Sequence, residues 1–308
     1  MKILILGAGA VGLGIAAKLS DVVDVTAITR EGPARTISEH GLSLEGALGT
    51  GTFRFPCCSS LPSGEHFDYI LIATKAYSTK ELCECYDGLL RDTEVVSLQN
   101  GLGSEEIISG FTNRVIGGVV MTGFIRTGEH GVHVTANAGE TLFGRFPDGT
   151  DSSVATLAEI FSKAGIPARS VGNIKSRLWS KNLISCTLNP ISAVLGVRYG
   201  KLTVDPGWQI ISGITREVFQ VAGAEGVTLQ WGSPEEYLAY LKNDLIPVMA
   251  THTSSMLQDI SCGRRTEVGF INGAITMFGK KHGISTPYNE CLTNMVQFRE
   301  LEHKDILV

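Results

Sequence analysis

No stretch of this 308-residue sequence stays apolar for the roughly 18 residues that a bilayer-spanning helix needs. Charge of one sign is not in excess either. Lys and Arg number 26 against 31 Asp and Glu, a net charge of −5, which weighs against a nucleic acid or an acidic membrane surface as partner. The basic pairs Arg264-Arg265 and Lys280-Lys281 read as solvated helix faces rather than a phosphate track. The seven cysteines, at 57, 58, 83, 85, 186, 262 and 291, are odd in number and irregular in spacing, so no disulfide framework is expected. Cys83-x-Cys85 has no second pair at zinc spacing, and the seven histidines form no His-x-x-x-His, so no metal site is expected. Internal repeats and low-complexity segments are lacking. Met1-Lys2 leads straight into the apolar Ile3–Leu6, a strand rather than a secretory segment, and the expectation is a soluble, cytoplasmic protein.

What is present is a change of period. The first part alternates apolar strands with helical stretches: a strand at 2–6, a helix at 10–20, a strand at 24–29, a hairpin from Leu42–Leu44 and Thr52–Phe55, a strand at 67–73, a helix over about 77–91 and a strand at 94–98. Strand-like segments follow at 115–126 and 132–145, then a helix at about 152–164 and a strand at 168–171. Such alternation predicts a parallel sheet with right-handed crossovers. From about 172 the rhythm is helical, with helices expected near 207–225, 234–246, 254–261, 266–283 and 287–302. The fold class is α/β, with an N-terminal dinucleotide-binding domain over 1–170 and an all-helical domain over 171–308. A cleft between the two is the expected ligand site.

Gly7-Ala8-Gly9-Ala10-Val11-Gly12 is a G-x-G-x-x-G that follows a strand and opens a helix, which is the context that gives the pattern meaning. Gly7 serves the tight turn, Gly9 the close approach of backbone to a pyrophosphate, and Gly12 the packing of helix on strand. The phosphates then meet the positive end of the helix dipole. Dinucleotide choice is read at the end of the second strand, where enzymes using NAD place Asp or Glu about 20 residues beyond the motif. Here Thr29-Arg30 stands there, a hydroxyl and a guanidinium suited to a 2′-phosphate; Glu31, one residue later, would serve NAD if the strand ended there. The expected cofactor is NADPH/NADP+. Lys75 ends the third strand and is placed for the cofactor ribose or phosphates, or to open a helix in solvent. Asn100, before Gly101, ends the fourth strand near the expected nicotinamide, where it serves the ligand or simply the turn.

Hydride transfer to a ketone needs a proton donor for the developing alkoxide. Lys181, Ser185 and Asn189 are spaced i, i+4, i+8 and share one side of a helix among apolar residues. A polar stripe there needs partners, which a substrate supplies; a solvent-facing lysine with two core-capping groups is the plainer alternative. In the second segment Thr253 or Ser254 is a good N-cap, Ser255 falls in the first turn, and Glu267 follows Thr266 at the start of an apolar helix. Glu267 there either favours the helix dipole or orients Lys181, and periodicity leaves both open.

Taken together, Gly7–Gly12, Lys75-Ala76, Gln99-Asn100-Gly101, Trp179-Ser180-Lys181, Asn189-Pro190, Ser254–Asp259, Thr266-Glu267 and Ile271-Asn272-Gly273 occur in an order that resembles the 2-dehydropantoate 2-reductase (ketopantoate reductase) family over nearly the whole chain. The resemblance implies NADPH-dependent reduction of 2-dehydropantoate to (R)-pantoate, in pantothenate and coenzyme A synthesis. It also implies a Rossmann domain followed by a helical domain like that of 6-phosphogluconate dehydrogenase. By matching position it makes Lys181 the general acid and pairs Glu267 with that lysine and the substrate hydroxyl. It gives Asn100, Ser185, Asn189, His252 and Ser255 to the substrate, and Gly7, Ala8, Gly9, Ala10, Val11, Gly12, Arg30, Lys75, Asn100 and Glu267 to the cofactor. Two positions depart: family members commonly carry Asn where Ser185 and His252 stand. A reductase of another branched 2-oxo acid is the alternative within the class, and an NADPH-binding regulator without turnover the alternative outside it. A hydrolase is excluded early, because Gly41-x-Ser43-x-Glu45 misses the last glycine of a nucleophile elbow. The expected partner is a small 2-oxo acid, with the chain a monomer or homodimer.

Overall fold

The computed structural model describes residues 1–61, 64–137 and 139–302. It contains two compact units, Met1–Gln99 with Ser104–Lys175, and Asn100–Gly103 with the chain from Ser176 onward.

The first unit opens with β1 (Lys2–Leu6), α1 (Ala10–Leu19), β2 (Asp24–Ile28), α2 (Glu31–His40), β3 (Leu42–Gly46), β4 (Gly51–Phe53), β5 (Cys57–Cys58) and β6 (Tyr69–Ile72). A 3-10 turn at Ala76–Ser78 precedes α3 (Thr79–Cys85), α4 (Asp87–Leu90), β7 (Glu94–Ser97) and α5 (Ser104–Ser109). Then come β8 (Val115–Val119), β9 (Thr122–Thr127), β10 (Gly131–Asn137), β11 (Thr141–Arg145), α6 (Ser152–Lys163) and β12 (Ala168–Ser170).

The larger sheet runs β12-β11-β8-β7-β6-β1-β2-β5, parallel throughout except where β11 meets β8. Its central strands are apolar without alternation because both faces are covered. Side chains still alternate in direction. Ile3 and Ile5 join a core with Leu71, Val96, Ile116 and the helices α1 and α6. Leu4 and Leu6 join Ile70, Ile72, Val95 and Val115 on the other face. Strand order reverses between β6 and β2 on either side of β1, so the crevice beyond the carboxyl ends of these strands is where such a sheet takes its ligand.

A second sheet, β4-β3-β10-β9, contains the expected hairpin, with Leu42 opposite Phe53. The stretches read as single strand-like segments over 115–126 and 132–145 are each divided between the two sheets. Thus β8 lies fully buried in the large sheet, while β9, mostly half-buried, pairs with β10 in the small one. The helix expected over 77–91 is broken into a 3-10 turn and two short helices. Helix α2 fills a stretch, between the strand at 24–29 and Leu42, to which the sequence pattern assigns no element. Pro33 is tolerated there because it falls in the first turn, whose N–H groups have no intrahelical acceptor.

In the second unit α7 (Ile174–Leu195), which begins two residues before the division, leads through a 3-10 turn at Tyr199–Thr203 to α8 (Asp205–Ala224) and α9 (Pro234–Tyr240). A π turn at Leu241–Leu245 joins α9 to α10 (Ile246–Val248); α11 (Ser255–Ser261), a 3-10 turn at Val268–Phe270, α12 (Asn272–Lys281) and α13 (Pro287–Leu301) complete it. Pro190 lies inside α7 and has no N–H for the Cys186 carbonyl one turn back. The Asn272 amide donates to that carbonyl at 3.2 Å and to Asn289 Oδ1 at 2.9 Å. Asn289 in turn donates its side-chain amide to Glu217 at 2.7 Å, so one buried polar chain ties α7, α8, α12 and α13. The helix expected over 266–283 begins only at Asn272, after Ile271 leaves helical geometry at φ −98, ψ −89. Glu267 therefore sits ahead of a 3-10 turn, not in the first turn of a long helix.

Candidate active site

In the first unit the glycine turn is built by backbone. Gly7 adopts φ +96, and a Cβ on it would lie 2.4 Å from the Thr74 nitrogen. A Cβ on Gly12 would lie 2.4 Å from the Gly7 carbonyl, so α1 packs against the turn only without one. At Gly9, the N-cap of α1, a Cβ would meet nothing within 4 Å, so the turn is open on its outer flank. The turn hangs from β2 through Gly7 and Ala8 N–H donation to Ile28 O, at 3.3 and 3.1 Å. Ala10, Val11 and Gly12 begin α1, whose first turn carries no acidic side chain. Their N–H groups are the ones a helix leaves available for an anion. Thr29 Oγ1 donates to Ala8 O at 3.4 Å, and Arg30, exposed, is the N-cap residue of α2. Lys75 is half-buried and extended ahead of the 3-10 turn after β6. Gln99 crosses from the end of β7 to the end of β6: its amide donates to Thr74 O at 3.0 Å, and its carbonyl accepts from Thr79 at 3.1 Å. An open glycine cradle, a first turn free of acid and cations at the neighbouring strand ends fit a dinucleotide pyrophosphate.

In the second unit side chains do the work. Lys181, Ser185 and Asn189 are half-buried on α7, whereas Asn182, Leu183, Cys186, Thr187, Leu188 and Pro190 between them are buried. The polar stripe is thus the helix's open side. Lys181 Nζ donates to Asn100 Oδ1 at 3.0 Å, and Leu102 N–H donates to Phe270 O at 2.8 Å, so the Asn100–Gly103 loop is fastened among the helices. Asn189 Oδ1 accepts from the Tyr199 hydroxyl at 2.6 Å. Tyr199 also stands 5.2 Å, ring to ring, from His252 and donates its N–H to His252 O at 3.3 Å. Burial holds the His252 imidazole below its ordinary pKa and pushes the Tyr199 hydroxyl up. Between Thr253 and Ser254, it is Ser254 that caps α11: its Oγ accepts from Leu257 N–H at 3.1 Å, leaving Ser255 exposed as the first helical residue. Glu267 is buried, and its carbonyl accepts from Phe270 N–H at 2.9 Å to close the 3-10 turn. Among the described residues no group of three or more His, Cys, Asp or Glu is placed to hold a metal, and no helix is long and apolar enough to cross a membrane.

The ketopantoate reductase PanE/ApbA family model matches residues 3–148, and its C-terminal counterpart matches residues 173–300. The chain belongs to this family. A 2-dehydropantoate 2-reductase of Pyrococcus horikoshii is 35% identical over 302 residues, covering 97% of this chain and 98% of that one. The crystal structure of a PanE/ApbA family ketopantoate reductase from Ralstonia eutropha superposes with a TM-score of 0.89 at 28% identity, over 99% of this chain and 100% of that chain. D-mandelate dehydrogenase, solved with NADH and anilino(oxo)acetate, gives a TM-score of 0.90 at 29% identity, over 99% of each chain.

For this ketopantoate reductase family member the structure brings Lys181 to Asn100, and Asn189 to His252 through Tyr199. Tyr199 escaped the sequence reading. It belongs to no motif, and its bond to Asn189 spans the end of α7. Gln99 was visible only as part of a motif, while its cross-strand bonds to Thr74 and Thr79 needed coordinates.

Proposed function

We propose that the chain is an NADPH-dependent 2-dehydropantoate 2-reductase, forming (R)-pantoate for pantothenate and coenzyme A synthesis. The observation that carries the reading is the Lys181 ammonium, held by Asn100 at 3.0 Å on the open stripe of α7, in a chain of this family. Bound NADPH supplies the hydride to the carbonyl carbon of the 2-oxo acid. The chain's own residues do the rest. The first-turn N–H groups of α1 would receive the pyrophosphate, Arg30 would pair with the 2′-phosphate, and Lys75 would hold the ribose or phosphates. Lys181 donates a proton to the carbonyl oxygen as negative charge develops there. Glu267 orients that lysine and accepts from the substrate hydroxyl. Because the Asn189 carbonyl accepts from Tyr199, its amide N–H groups are left as donors to the substrate, and with Ser255 and Ser185 they hold the carboxylate and hydroxyl.

A second reading is a reductase of another 2-oxo acid. His252 and the Tyr199 ring beside Asn189 favour it, as does the likeness to D-mandelate dehydrogenase, whose hydroxy acid is aromatic. The test is cofactor oxidation followed with 2-dehydropantoate beside branched aliphatic and aromatic 2-oxo acids, using NADPH and NADH. The first reading expects the highest kcat/KM for 2-dehydropantoate with NADPH. A higher value for an aromatic acid establishes the second, and no turnover with any of them overturns both.

A further inference from the structure

We propose that Arg126, near the end of β9, is a second cation of the 2′-phosphate subsite and works with Arg30; this rests on the NADPH reading above. The side chain of Arg126 reaches out of the small sheet to the glycine turn, where Nη1 donates to Ala8 O at 3.2 Å. Thr29 Oγ1 donates to the same oxygen at 3.4 Å. One carbonyl of the turn thus marks the meeting of the cofactor cradle, the end of β2 and the tip of Arg126. The end of β2 is where a dinucleotide-binding sheet reads the ribose 2′ position.

Three of the five guanidinium N–H groups are spent on carbonyls: Ala8, Gly128 at 3.2 Å, and Glu129. Two remain. Among the described residues no carboxylate lies within ion-pair distance of Arg126, and none lies so near Arg30. Glu129, whose backbone carbonyl Arg126 engages, has its carboxylate bonded instead by the Thr36 hydroxyl of α2 at 3.2 Å. Burial lowers the pKa of Arg126, and the like charge of Arg30 lowers it further, while Cys57 and Glu129 act the other way. A guanidinium fixed beside an open turn, with the like charge of Arg30 acting on it, favours an anion there. Arg30 also stands at the N-cap of α2, where a positive charge opposes the helix dipole and an anion is favoured. A doubly charged phosphate monoester satisfies both cations with charge-assisted bonds. The carbonyl fork fixes the Arg126 tip in advance, so little rotamer freedom is left to lose on binding.

The rival role is a strut that merely ties the β9–β10 turn to the glycine turn. Equilibrium binding to the cofactor-free protein separates the two, read by calorimetry with NADPH, NADH, 2′,5′-ADP and 5′-AMP. In Arg126→Gln we expect NADPH and 2′,5′-ADP to weaken by roughly 10-fold or more, and NADH and 5′-AMP by no more than about 3-fold. Equal weakening of all four, or no change, overturns the proposal. A second arm leaves Arg126 intact: Arg30→Gln should keep at least a roughly 5-fold preference of 2′,5′-ADP over 5′-AMP, because one cation remains. Complete loss of preference in Arg30→Gln assigns the subsite to Arg30 alone and also overturns the proposal. The parent protein separates this failure from failure of the reading beneath it. No preference for NADPH over NADH in the parent removes the NADPH assignment, and no binding of either removes the dinucleotide site.

Discussion

As proposed ligand sites, the glycine turn after β1 and the polar stripe on α7 are built in opposite ways. The turn uses main chain. Its proposed donors are the N–H groups of Ala10, Val11 and Gly12, and its shape depends on two positions where a Cβ would come within 2.4 Å of backbone atoms. The stripe uses side chains on a helix, and two of its three are bonded by a second residue: Lys181 by Asn100, Asn189 by Tyr199. A backbone site fails when a side chain is added, whereas a side-chain site fails when one is removed. The two regions should therefore respond to mutation in opposite senses.

The largest effect that sharpens this contrast is Gly7→Val. With φ at +96 and the Thr74 nitrogen 2.4 Å from the new Cβ, the turn must open. Calorimetry should show NADPH affinity falling by more than roughly 100-fold, with a stability loss of about 1–3 kcal/mol in denaturant titration. Arg30→Ala comes next. The KM for NADPH should rise about 10-fold more than that for NADH, and an equal rise would place Arg30 outside the 2′ subsite. Tyr199→Phe is smaller: releasing the Asn189 carbonyl should raise the KM of the oxo acid a few-fold, about 0.5–1.5 kcal/mol, and leave cofactor affinity unchanged. The smallest effect is in pH. Burial holds His252 below its ordinary 6.5, so as pH falls the unfolded chain takes up this proton first. The contribution to stability is present above about pH 6.5 and is lost below it. Between about pH 7.5 and about pH 5.5 the denaturation midpoint of the parent should fall more than that of His252→Gln.

The same contrast governs what the sequence made legible. The glycine turn was readable because its chemistry lies in local spacing: strand, G-x-G-x-x-G, helix. The stripe at 181, 185 and 189 was readable as a face for the same reason, since helix period alone decides it. What aims the stripe was not readable. Tyr199 sits in a 3-10 turn beyond the end of α7, and Asn100 is far away in sequence, in a loop whose Leu102 N–H donates to Phe270 O. Arg126 looked like one residue of a long strand, and only the division of 115–126 between two sheets carries it to Ala8. The misplaced start of α12 has a similar origin. The apolar rhythm runs through Val268–Ile271, but Asn272 is held by Cys186 and Asn289, so the helix begins where that buried network fixes it. Local period names the elements, and long-range polar bonds choose their ends.

The most direct test of the account is Lys181→Ala, examined by single-turnover hydride transfer from NADPH to 2-dehydropantoate together with NADPH affinity. The account expects transfer to slow by roughly 100-fold or more, as for a lost general acid, with NADPH affinity within about 2-fold of the parent. Transfer within a few-fold of the parent's rate would contradict it.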